Sequence, residues 1–256
     1  GRDHSELLWV VGDASQFNFR GAVPTHTTRS DVLRSRDEND WHTLTDIHLL
    51  ASLAALFHDF GKACQAFQDK LTGKNIERNR YRHEWISLRL LQAFVGDSDD
   101  ADWLARLRKP EAIDEAHWLS VLVRDGQTRN TPLPLADLPP IARTVGWLVI
   151  SHHRLPVLPS YDENDAQQRI GRKSTRDNAD SIPDLPDGIH AGWNEIDAPD
   201  DAATIAPYWT FPHGLPSRSH AWCKRATRIA RQSLARRSTL AAVDIHNPYA
   251  LHIARL

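Results

Sequence analysis

Five residues have the types and the placement for metal chemistry. They are the adjacent His58 and Asp59, the separate His83, and the adjacent His152 and His153. Imidazole nitrogens combined with a carboxylate oxygen suit a first-row transition ion such as Mn, Fe, Co, Ni or Zn. An Asp can bridge two such ions through its two oxygens. Two ions about 3.5–4 Å apart activate a water and stabilise an in-line displacement at phosphorus. Singly, each signal is weak, because the chain has 14 His and a His-Asp or His-His pair is expected by chance. Any one of them, taken alone, reads more readily as a surface or helix-capping histidine. The combination points to a site for one or two divalent ions.

Such a site needs rigid elements to bring distant residues together. A helix is expected from about Thr45 to Phe60, with Leu49, Leu53, Leu56 and Phe60 at helical spacing and Leu50, Ala54 and Phe57 widening the stripe. So apolar a helix should be central. Gly61 is expected to end it in a left-handed conformation. A short helix follows over Ala63 to Leu71, a third from Arg82 to Val95 before Gly96, and a fourth from Glu111 to Arg124 before Gly126. Pro139 and Pro140 open a fifth, with a stripe of Ile141, Val145, Leu148 and Val149 that runs into His152. A basic helix is expected from Ser219 to Ser238. No strand alternation and no internal repeat stands out. The expected fold is mainly α, with His58–Asp59, His83 and His152–His153 each at a helix edge. Residues 1–40 read as an N-terminal extension or linker packed on a domain over 41–256. Residues 176–204, rich in Asp, read as an acidic loop.

Composition limits the function classes. The 31 Lys and Arg nearly balance 33 Asp and Glu, so a nucleic-acid surface must be local. Two cysteines, Cys64 and Cys223, exclude a disulfide framework and a Cys-rich zinc site, and fit a reducing cytoplasm. No apolar run approaches the roughly 18 residues of a membrane span, and no secretory signal opens the chain. The sequence contains no Met, so it reads as a segment of a longer protein.

The stretch Leu56-Phe57-His58-Asp59-Phe60-Gly61-Lys62-Ala63, followed by Phe67-Gln68, resembles the HD-x-G-K-A signature of CRISPR-associated HD nucleases. His83-Glu84 matches the lone His before an acidic residue that follows it. Ser151-His152-His153-Arg154 matches the later His-His pair. The resemblance covers about residues 44 to 160. Arg82-His83-Glu84-Trp85 and His152-His153-Arg154-Leu155-Pro156 are most similar to the type I-F branch, where the nuclease sits between an adaptation-type domain and a helicase. The resemblance implies an HD-type helical bundle with His58, Asp59, His83, His152 and His153 as metal ligands and Asp59 as the bridge. It implies that Lys62 meets the scissile phosphate, where an ammonium offsets developing charge. It further implies a metal-dependent hydrolase cutting single-stranded DNA, loaded with Mn, Fe, Co or Ni. The expected partners are an RNA-guided CRISPR surveillance complex, the CRISPR integrase and phage inhibitor proteins. ATP would serve only a helicase outside this segment.

Two features depart from that pattern. The family carries one more His before the HD pair, and His26, His42 and His48 all qualify. His48 is a poor co-ligand: ten residues before His58 on one helix, it points about 80° away. The family also carries a late Asp on a C-terminal helix. Asp162, Asp165 and Asp244 lack that setting. The segment Asn247–Leu256 reads as the start of the helix, cut short, which leaves a ligand beyond Leu256 as the alternative.

Between Arg218 and Arg237 there is no Asp or Glu. Arg225, Arg228 and Arg231 fall broadly on one helical face that suits a phosphate backbone. The same face suits a solvated surface, one paired with the acidic loop, or a dock for a helicase or partner protein. Two other functions fit the same residues. One is an HD-type phosphohydrolase of nucleotides. The other is a non-catalytic docking domain whose metal site is structural or degraded.

Overall fold

The computed structural model describes residues 44–74, 79–127, 131–153 and 201–243. Among these residues there are helices and no strand. In chain order the helices are α1 (Leu44–Phe57), α2 (Gln65–Leu71), α3 (His83–Val95), α4 (Asp100–Leu107), α5 (Glu115–Ser120), α6 (Pro140–Ser151), α7 (Ala202–Ile205), α8 (His220–Ala235) and α9 (Arg237–Ala241). A 3-10 turn at Phe60–Ala63 joins α1 to α2. The mainly α expectation holds. The boundary at residue 40 and the acidic loop fall outside the described residues, apart from the end of that loop at 201–204. So do His26, His42, Asp162, Asp165, Asp244 and the segment 247–256.

The most enclosed helix is α3 rather than α1. Every residue from Glu84 to Leu91 is buried, whereas α1 leaves Thr45, His48, Ala51 and Ala55 exposed. α3 packs against α6, α5 and the 3-10 turn, while α1 packs against α6 and α8. Leu49, Leu50, Leu53, Leu56 and Phe57 bury the apolar stripe of α1. Each such side chain contributes roughly 1.5–3 kcal/mol relative to exposure.

Enclosing α3 requires its polar side chains to be paired. Arg89 donates from Nε to Asp125 Oδ2 at 2.8 Å and from Nη2 to Asp125 Oδ1 at 2.7 Å. Trp85 Nε1 donates to the same Asp125 Oδ2 at 2.7 Å, and the Asp125 carbonyl accepts from Tyr81 and Trp209. One buried residue thus ties α3 to the chain before α7 and after it.

The structure departs locally from the sequence reading in two places. α4 is not among the helices expected from the sequence. Asp99 caps it, accepting from the Ala101 and Asp102 amides, and Trp103, Leu104 and Leu107 bury its inner face. The helix expected over 111–124 is only a 3-10 turn at Pro110–Ala112 followed by α5, which Asp114 caps at the His117 amide. Asp100 reaches further and accepts from the Ile141 and Ala142 amides, capping α6 from α4.

α1 and α8 run antiparallel and are fastened at both ends. Arg236 is paired with the fully buried Asp46 near the start of α1, with Nη2 2.7 Å from Oδ2. Trp222 Nε1 donates 2.9 Å to the Leu56 carbonyl near its end. Phe57, Phe60, Phe94, Trp118 and Trp222 form an aromatic cluster there, with ring centroids 4.9–6.1 Å apart. Each such pair adds about 0.5–1.5 kcal/mol beyond area burial. Two of its members, Phe57 and Phe60, flank His58 and Asp59 in the chain.

Candidate metal centre

His58 and Asp59 lie between the last turn of α1 and the 3-10 turn, whose first residue, Phe60, is buried. Gly61 does not end α1 by a positive φ; its backbone is not among the left-handed glycines. Its role is close approach. A Cβ on Gly61 would lie 2.1 Å from the His83 carbonyl oxygen. The glycine therefore lets the turn press against the first residue of α3.

That approach brings Asp59 to His83. His83 Nε2 is 3.5 Å from Asp59 Oδ1, and His58 Nε2 is 3.4 Å from Asp59 Oδ2. His152 caps the C-terminus of α6, and His153 follows it. One ring nitrogen from each of His83, His152 and His153 fits within a 4.8 Å group. The His152 ring centroid is 5.2 Å from that of His58 and 5.7 Å from that of His83. All five residues singled out in the sequence thus surround one spot where the ends of α1 and α6 meet the start of α3.

The outer nitrogens of three imidazoles are already occupied. His58 Nδ1 donates to the Ala55 carbonyl at 2.9 Å, and His152 Nδ1 donates to the Val149 carbonyl at 2.7 Å. His83 Nδ1 is 3.2 Å from Glu84 Oε2. A carbonyl or carboxylate only accepts, so each Nδ1 carries a proton, and in a neutral ring the lone pair is then on Nε2. Nε2 of His83 and of His152 are both shielded from solvent without a hydrogen-bond partner. Buried, unpaired lone pairs of this kind, beside a carboxylate, fit a divalent cation, and partners on the far nitrogens are what metal-binding imidazoles need.

The electrostatics keep the donors ready. Burial pushes His83 down to about 4, against a smaller opposing pull from Glu84, so the ring is neutral. Burial likewise lowers His152. Burial would raise Asp59, but the hydrogen bond from Lys62 and the neighbouring positive charges outweigh it and hold the carboxyl below its ordinary value. Lys62 Nζ stands 2.8 Å from Asp59 Oδ1. Burial is outweighed in the same way at Glu84 by its pairing with Arg82, which keeps the carboxylate ionised behind His83.

Several supporting residues carry weaker signals in sequence. Phe67 lies 5.9 Å from the His83 ring, and Gln68 Nε2 donates 2.7 Å to the Lys62 carbonyl, steadying the 3-10 turn. Both follow the HD pair closely. Ser87 is one small polar residue in a buried stretch of α3. His48 is exposed on α1, well before its end, and is not part of this arrangement. Arg225, Arg228 and Arg231 are exposed on α8, as is Lys224, and none has a carboxylate partner among the described residues. Trp222, Ala226, Ile229, Ala230 and Ser233 form the opposite, buried face. The arginines do not join the imidazole cluster.

Among the described residues no helix is long and apolar enough to cross a membrane. Residues 26–236 match the family model "Cas3, HD domain". Over 263 aligned residues, covering the whole chain, the sequence is 47% identical to a CRISPR-associated nuclease/helicase Cas3 subtype I-F/YPEST of Pseudomonas aeruginosa. It is 39% identical over 99% of its length to a protein of the same description from Pectobacterium atrosepticum. The chain spans 23% of the length of each of these relatives. With its helical bundle and imidazole cluster, the chain belongs to the Cas3 HD-domain family.

Proposed function

We propose that this chain is a metal-dependent nuclease module that nicks and degrades single-stranded DNA during CRISPR interference. The observation that carries the reading is the imidazole cluster itself, with His58 and His83 Nε2 within 3.5 Å of Asp59 and with His83 and His152 Nε2 buried without a partner. His58, Asp59, His83, His152 and His153 would hold one or two divalent transition ions, with Mn, Fe, Co and Ni suited to the donors. Bound there, such an ion supplies Lewis acidity toward a phosphoryl oxygen and lowers the pKa of water.

The chain's own residues do the rest. Asp59 joins the two sides of the site through its two oxygens. Glu84, the Val149 carbonyl and the Ala55 carbonyl fix the ring tautomers. Lys62 stands beside Asp59, where its ammonium can pair with the phosphate under attack and offset charge as the leaving oxygen departs. The exposed Lys224, Arg225, Arg228 and Arg231 would follow the phosphates of a strand on its way to or from the site.

By analogy with the full-length relatives, strand feeding would come from an ATP-driven helicase outside this segment. Recruitment would come from an RNA-guided surveillance complex in the cytoplasm. The CRISPR integrase and phage inhibitor proteins are the further partners proposed.

The test is cleavage of circular single-stranded DNA by metal-stripped protein given Mn, Co, Ni, Fe or Mg separately. Cleavage with at least one transition ion, and loss of it in Asp59→Ala and His83→Ala, is expected. Hydrolysis of nucleoside monophosphates with no action on the circle would replace this reading with a phosphohydrolase. Intact interference in cells carrying Asp59→Ala would replace it with a docking domain.

A further inference from the structure

We infer that Ser87 is a positioning residue that sets where Asp59 stands relative to His83, through a hydroxyl bridge across the HD turn. The inference rests on the metal-site reading above and adds a residue outside the ligand set.

Ser87 lies four residues after His83, so both occupy the same face of α3, one turn apart. Its side chain is fully buried. Its neighbours in sequence, Trp85, Ile86, Leu88, Leu90 and Leu91, are large and apolar, so nothing in packing asks for a hydroxyl here. The hydroxyl nevertheless both donates and accepts. Ser87 Oγ donates to the His58 carbonyl at 2.8 Å and accepts from the Gly61 amide at 2.8 Å. These two backbone groups bracket Asp59 on either side. A single oxygen on α3 therefore clamps both ends of the four-residue segment His58–Gly61 that carries the carboxylate.

The clamp works with Gly61. The glycine removes the Cβ that would collide with the His83 carbonyl, and the hydroxyl supplies the attraction that draws the turn onto α3. One ligand of the proposed site stands on each side of the bridge. Losing it would leave the Gly61 amide and the His58 carbonyl without this partner and let the Asp59 backbone drift from His83. Metal sites respond to changes of a few tenths of an ångström in donor position.

The experiment titrates metal-stripped protein with Mn by calorimetry and with Co by visible absorption. Wild type is compared with Ser87→Ala and with Ser87→Cys, which keeps the side-chain volume but donates weakly. The melting temperature of each metal-free protein is recorded alongside. For the folded variants the expected result is Mn affinity about tenfold or more weaker, within the range seen when supporting partners of ligands are removed, together with a changed Co spectrum. Mn affinity within twofold of wild type and an unchanged Co spectrum, in either folded variant, would overturn the inference even if the melting temperature falls. If wild type itself binds neither ion, the metal-site reading fails instead. If Ala does not fold, Cys decides. If neither folds, a purely architectural role is established and the inference falls.

Discussion

Glu84 Oε2 stands 3.2 Å from His83 Nδ1, on the side of the ring facing away from Asp59. The carboxylate holds the proton on that nitrogen and so leaves the opposite one bare. The ring is aimed by a residue that is not one of the three grouped imidazoles.

Glu84→Gln removes the charge and allows the amide to present either an oxygen or a nitrogen to the ring. The expected outcome is a 10- to 100-fold loss of Mn affinity with the helical fold kept. Calorimetry and circular dichroism on the same sample check both halves.

Gly61→Ala should be far more damaging than an ordinary Gly-to-Ala change. The added carbon meets backbone, the His83 carbonyl oxygen, at 2.1 Å, and backbone cannot rotate away. Urea unfolding should show a loss of several kcal/mol, in the range seen for overpacked or strained sites, and residual folded protein should bind metal poorly.

Asp125→Ala strands the buried Arg89 guanidinium, together with the Trp85 indole N–H. Breaking one side of a buried pair costs about 3–5 kcal/mol. The drop should appear in urea midpoints. Arg89→Met made together with Asp125→Ala should recover part of it, since no buried charge is then left alone.

Alkaline stability should depend on Tyr81. Burial, with the nearby Asp125 and Tyr208, raises its hydroxyl to about 12 from an ordinary 10. The folded chain thus keeps a proton that the unfolded chain gives up. The stabilisation is complete below pH 10 and is lost as pH rises from 10 toward 12, by roughly 1.4 kcal/mol per unit at most. Tyr81→Phe should lower stability at pH 8 through the lost bond to the Asp125 carbonyl, yet flatten the decline between pH 10 and 11. Urea midpoints across that range would refute this if the two slopes matched.

Cys64 is 1% exposed, and burial pushes its thiol up to about 11. Iodoacetamide at pH 8 should therefore label Cys223 and spare Cys64 until denaturant is added. Peptide mass spectrometry distinguishes the two.

Much of this arrangement is legible in the sequence because it rests on local periodicity. The stripes of α1, α3, α6 and α8 fix those helices to within a few residues, and they place each candidate ligand at a helix end. The short α4, with Asp99 as its cap and Asp100 and Asp102 in its first turn, offers too few apolar positions for a stripe and is absent from the helices expected from the sequence. The Asp125 pairings cannot be read locally, because Arg89 and Trp209 lie 36 and 84 residues away. The site divides in the same way. Residue type and order name His58, Asp59, His83, His152 and His153. The partners that turn each ring, and the hydroxyl of Ser87, emerge only when α1, α3 and α6 come together.

The carboxylate of Asp100 grips the front of α6, and His152 rides at its back. The twelve residues between make a rod about 18 Å long. A rigid rod transmits axial displacement almost undiminished, so its forward mooring dictates the depth to which the rear imidazoles project. Substitutions at Asp100 would thus act as a set-screw on the end that carries His152, and sequence changes around α4 offer a route for shifting the imidazole cluster without touching any of its members.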